Sequence, residues 1–115
     1  MRYDQFNSGQ LKIAANGDEA FFADMLLKFI DKAEALLLMI QHEDQAEDLT
    51  PLGEQVHKAK ASFKFFGLYQ AAQDLDEIEY HILVKPDLVA AKSCCREAIA
   101  KISDAIHQAR EALGE

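Results

Sequence analysis

Long hydrophobic runs are missing from this sequence: no apolar stretch reaches the ~18 residues that a membrane span needs, so no spanning segment is expected. Met1-Arg2-Tyr3-Asp4-Gln5 lacks the basic start and apolar stretch of a secretory signal, which makes the cytoplasm the default expectation. Cysteine is scarce as well. Cys94 and Cys95 are adjacent and cannot close the long loop that makes a structural disulfide useful; they read as free thiols, one buried and one partly exposed. Positive charge is in deficit, with 12 Lys and Arg against 20 Asp and Glu, a net charge of −8. Such a chain is a poor binder of nucleic acid phosphates. With 115 residues there is room for one ordinary domain, and a Rossmann enzyme, a kinase catalytic domain or a TIM barrel is excluded. No glycine-rich nucleotide loop, internal repeat or linker occurs.

Only five Gly and two Pro are present, and they fall where helices should stop or start. Half the residues are apolar, enough for a modest core, and they recur at spacings of 3–4 rather than 2. A short leading helix is expected over residues 10–15. Asn16-Gly17-Asp18-Glu19 reads as the start of a long helix carrying Phe22, Leu26, Phe29, Ala33, Leu36, Leu37 and Ile40 to near His42, which would meet the negative end of the helix dipole. Residues 43–48 read as a loop. Thr50-Pro51 reads as N-cap and first helical residue of the next helix, which runs to Phe66 with Gly67 as its C-cap. A third helix carries Ala71, Leu75, Ile78 and Ile82 up to Lys85-Pro86-Asp87. The last carries Leu88, Ala91, Cys95, Ala98, Ile102, Ala105, Ala109 and Leu113, close to a heptad repeat. Four amphipathic helices joined by short loops imply an all-α fold, an antiparallel up-down four-helix bundle forming a single domain over 1–115.

The second long helix holds the informative stretch, His57-Lys58-Ala59-Lys60-Ala61-Ser62-Phe63-Lys64-Phe65-Phe66-Gly67. At about 100° per residue, Leu52, Val56, Ala59, Ser62, Phe63 and Phe66 gather on the core side. His57, Lys60, Ala61 and Lys64 gather opposite, toward solvent. A neutral imidazole is a nucleophile near pH 7, and lysines one turn away stabilise a transferring phosphoryl group. Ala61 leaves clearance for a partner. Phe65, at the border of the stripe, and Leu68, if the helix continues, read as an apolar docking rim.

These residues resemble the motif of histidine-containing phosphotransfer domains, roughly His-x-Leu-Lys-Gly-Ser with a Gly ten residues after the His. His57, Lys60, Ser62 and Gly67 stand at the matching places. Family members often carry Glu or Gln 22 residues after the His, near the imidazole, and Glu79 stands there. The departures are changes of size: Ala59 for Leu, Ala61 for Gly and Ala71 for Leu. The resemblance implies a phosphorelay intermediate without stand-alone catalytic activity. His57 would accept a phosphoryl group from a receiver-domain aspartate and pass it to another receiver, with Lys60 and Lys64 offsetting its charge and Glu79 orienting the ring. The implied partners are response-regulator receivers and a hybrid sensor kinase. The chain itself, expected to be a monomer, would need no cofactor, because the receiver brings the Mg²⁺.

Two other readings stand beside this one. An adaptor of the same fold would dock a receiver or kinase and never take phosphate. A di-metal bundle would use Glu54-Gln55-Val56-His57 as a Glu-x-x-His pair, with Asp104-Ala105-Ile106-His107 as a near miss. The second needs ligands pointing inward, whereas His57 lies opposite the apolar arc beside a lysine. His81 and His107 have no evident partner in the sequence, and Phe22, Phe29, Phe63 and Phe66 read as core.

Overall fold

The computed structural model describes residues 4–43 and 48–114, and among these it is all-helical with no strand. Helix α1 spans Gly9–Ala15. Asn16 and Gly17 then take left-handed backbone angles, with φ of 47° and 86°, and turn the chain. Asp18 caps α2, Glu19–Gln41, by accepting from the Phe21 N–H at 2.9 Å. Its buried stripe is Leu26, Phe29, Ile30, Ala33, Leu36 and Ile40. The helix ends one residue before His42, whose Nδ1 lies 2.8 Å from the Leu38 carbonyl. Residues 44–47 of the expected loop lie outside the described set.

Helix α3 spans Thr50–Phe65. Thr50 is not its N-cap: it is already helical, Leu49 occupies the cap, and the Asp48 carboxylate accepts the Thr50 N–H at 2.9 Å. A carboxylate two residues upstream thus serves the free helix start in place of the hydroxyl. At the other end Gly67 has φ of +75°, and the Leu68 N–H returns to the Phe63 carbonyl at 2.9 Å. That left-handed step closes the helix and reverses the chain.

Helix α4, Tyr69–Glu79, continues into a π-helical turn, Tyr80–Val84, which the apolar periodicity did not indicate. Asp87 caps α5, Leu88–Leu113, by accepting from the Ala90 N–H at 3.1 Å. Its buried face is Ala91, Cys95, Ala98, Ile102, Ala105, Ile106 and Ala109, and the four alanines let neighbouring helices approach closely.

Packing is pairwise around a shared core. Helix α2 packs on α3 and α5, α4 packs on α3 and α5, and α1 leans on α2. Phe63, Leu26, Ile30, Leu75, Ile78 and Ile102 are fully enclosed. At the end that holds the Gly67 turn, Phe29, Phe63 and Phe66 meet edge to face, and Phe6 stacks on Phe66 with centroids 4.7 Å apart. Phe6 belongs to an N-terminal strap. The Gln108 side chain accepts the Phe6 N–H at 2.7 Å, and the Asn7 N–H reaches the Phe66 carbonyl at 2.8 Å. No helix of the described residues is long and apolar enough to cross a membrane.

Candidate functional site

His57 sits mid-way along α3 with 66% of its side chain exposed. The core arc of α3 is filled by Leu52, Val56 and Phe63, which forces His57 outward. On α4, the stripe Ala71, Leu75 and Ile78 faces the core and leaves Asp76 and Glu79 on the side that meets α3. The two helices adjoin through the Gly67 reversal, so residues 22 apart in sequence become neighbours.

The His57 Nδ1 lies 2.9 Å from Glu79 Oε2. A carboxylate can only accept, so this nitrogen carries the proton and Nε2 keeps its lone pair toward solvent. Glu79 is itself largely covered, with 16% of its side chain exposed. Its other oxygen, Oε1, is 2.7 Å from Lys60 Nζ, and Lys60 also donates to Asp76 Oδ1 at 2.8 Å. A four-residue chain results: His57, Glu79, Lys60 and Asp76. The Lys60 ammonium holds the Glu79 carboxyl below the usual carboxylate range, and the His57 hydrogen bond adds to this. Asp76 is lowered by the same lysine. Lys60 in turn is raised above its ordinary value, first by Asp76 and then by Glu79.

The structure brings His57, Lys60 and Glu79 together as the sequence led one to expect, with one difference. Lys60 does not face open solvent: 19% of its side chain is exposed, because it lies down between two carboxylates. A side chain of four methylenes does not follow the direction of its Cα–Cβ bond when opposite charge lies to one side. Lys64, one turn on, is exposed and makes no ion pair among the described residues; its charge still reaches Asp76. Asp76 was missed by the sequence reading. Its signal was the i, i+3 spacing to Glu79 on the helix facing Lys60.

Ala61 is exposed beside this network, and Phe65 is 37% exposed. Both line a groove of about 410 Å³ between α1, α2 and α3, floored by Leu11, Met25, Phe29 and Phe66 and edged by Lys28 and Lys32. Leu68 does not belong to the rim. It is 2% exposed and packs in the core, because the left-handed Gly67 ends the helix on which its outward direction was reckoned. A second groove of about 630 Å³ runs between α2 and α3, lined by Ser62 and by Ala59, which is half-buried against the core.

Glu54 and His57 both lie on the exterior of α3, and His107 on that of α5. The Glu-x-x-His spacing therefore aims no ligand pair inward, and among the described residues no group of three or more acidic, His or Cys side chains is placed to hold a metal ion. His107 lies 3.5 Å from Glu111 on its own helix. Cys95 is fully buried and Cys94 partly exposed. No protein-family model, no curated protein and no solved structure matches this chain.

Proposed function

We propose that the chain is a histidine phosphotransfer protein of a two-component phosphorelay, built as an antiparallel up-down four-helix bundle from α2 to α5. The cyclic packing of these helices and their short connections support that architecture. The observation that carries the functional reading is the His57–Glu79 hydrogen bond on an otherwise exposed imidazole. It fixes which nitrogen holds the proton and presents the other to an incoming group.

The chemistry is a phosphoryl exchange between two nucleophiles. The Nε2 lone pair attacks the phosphorus of a receiver's aspartyl phosphate. The N–P bond forms as the acyl phosphate P–O bond breaks, and the aspartate leaves as its carboxylate. Glu79 holds the Nδ1 proton throughout and offsets positive charge gathering on the ring. Lys60, anchored one turn away, and the exposed Lys64 offset the phosphoryl charge. The reverse sequence delivers the group to a second receiver. Ala61 gives clearance, and the Phe65 groove with Lys28 and Lys32 supplies a receiver-docking face. In this reading the chain acts as a monomer, with receivers and a hybrid sensor kinase as partners.

The same groove favours one second reading, an adaptor that docks a receiver without accepting phosphate. The experiment mixes the protein with a phosphorylated receiver domain and reads its mass before and after acid treatment. An acid-labile phosphoryl adduct, absent in His57→Gln with helical content unchanged, is the expected result. Receiver binding with no adduct favours the adaptor.

A further inference from the structure

Asp76 stands outside the motif, yet it shares Lys60, which is linked to His57 through Glu79. Lys60 Nζ is 2.8 Å from Asp76 Oδ1 and 2.7 Å from Glu79 Oε1. The Asp76 contact is a hydrogen bond, whereas the Glu79 contact is a close ion pair without hydrogen-bond geometry, so the ammonium gives one donor to Asp76 and is held at Glu79 by charge while His57 is free of phosphate. The two carboxylates are not equivalent. Glu79 is 16% exposed and also holds His57, whereas Asp76 is 68% exposed and makes no other side-chain hydrogen bond among the described residues. Water can replace Lys60 at Asp76 with little loss, since an exposed ion pair is worth little. It cannot do so at Glu79 without leaving a largely covered carboxylate short of a partner. Of the two restraints on Lys60, the Asp76 contact is the one that can open.

We propose that Asp76 is a positioning residue that restrains Lys60 in the resting state and yields it to the phosphoryl oxygens when His57 is loaded. This rests on the phosphotransfer reading above. With Asp76 in place the Lys60 charge is opposed by two carboxylates, Glu79 and Asp76, and the cluster favours an incoming anionic phosphoryl group weakly. That keeps the phosphohistidine short-lived, which suits a relay that must give up what it receives. Asp76 acts through Lys60 and does not touch the reacting atoms.

The test loads the full chain with phosphoramidate, a small anionic donor. The donor's P–N bond breaks as the Nε2–P bond forms, and ammonia leaves after taking up a proton from water. Mass and ³¹P spectra follow the adduct. Asp76→Asn should load His57 about 3- to 10-fold faster than the unaltered protein at low salt, the effect of one fewer opposing charge at short range, and the gain should shrink as salt is raised. Asp76→Glu, which keeps the carboxylate, should return the rate toward the original. In a Lys60→Met background, Asp76→Asn should change the rate less than twofold, because no lysine remains to be released. A purely structural role for Asp76 would lose activity rather than gain it and would not follow salt. If the original protein loads but Asp76→Asn is no faster, or gains equally without Lys60, the role of Asp76 is overturned and the phosphotransfer reading stands. If the original protein takes no phosphoryl group on His57, both fall.

Discussion

Glu79 can be removed in two ways that separate its hydrogen bond from its charge. Its Oε2 accepts from His57 Nδ1 at 2.9 Å, with the imidazole 66% exposed and the carboxylate 16% exposed. Net hydrogen bonds to charged groups reach about 1.5–3 kcal/mol when covered, while exposed pairs give about 0.2–1 kcal/mol. This bond has one covered and one exposed partner, so about 1 kcal/mol is the fitting value. At 1.36 kcal/mol per tenfold, that is roughly a fivefold preference for the ring form whose lone pair sits on Nε2. Glu79→Ala should forfeit the preference and slow loading of His57 by about three- to tenfold. Glu79→Gln keeps an amide oxygen that accepts the Nδ1–H, so it should hold the ring form and lose only the charge, falling between the two. Ring ¹⁵N shifts report the tautomer, and phosphoramidate loading reports the rate. An unchanged tautomer in Glu79→Ala, or a Gln variant indistinguishable from Ala, would refute the reasoning.

Gly53 is helical, and an added Cβ would lie 2.9 Å from both Ile82 Cγ2 and Leu83 Cγ. Gly53→Ala should therefore destabilise the protein by about 1 kcal/mol despite the better helix propensity of Ala, as read from urea unfolding. Burial, with Glu43 adding to it, pushes the Cys95 thiol up to about 12, and burial with Glu77 raises Cys94. Neither should react quickly with a thiol reagent at pH 8 in the folded protein, and both should react once it is denatured. The lowered carboxyls of Glu79 and Asp76 give stability that is present above their ordinary values near pH 4 and is lost as pH falls through the lowered ones. The raised Lys60 gives stability that is present below its ordinary 10.5 and is lost as pH rises through the higher value. The stability difference between the protein and Lys60→Met, read from urea unfolding, should thus shrink as pH falls below about 4 and as it rises above 10.5.

The long helices α2 to α5 were legible because each carries an apolar stripe long enough to average over single exceptions, and Asn16-Gly17 and Gly67 punctuate it. The outward direction of His57 followed from the same stripe. Leu68 was misjudged because a helical angle has no meaning across a residue with φ of +75°. The strap around Phe6 carries no period; it is held by stacking on Phe66 and by Gln108, a partner 102 residues away. The π-helical turn at Tyr80–Val84 adds one residue per turn, which an apolar pattern of four positions does not resolve. Glu79 was found through the motif spacing alone. Asp76 and the recumbent Lys60 depend on which side chains face each other across two helices, and that is set by packing.

The most direct test is to identify the atom that bears the phosphoryl group. The protein, labelled with ¹⁵N at histidine and loaded from a phosphorylated receiver, should show ³¹P coupling to Nε2 of His57. Nδ1 should keep its proton on Glu79, and His57→Gln should abolish the signal. Phosphorus on Nδ1, on another residue or nowhere in the chain would contradict the account.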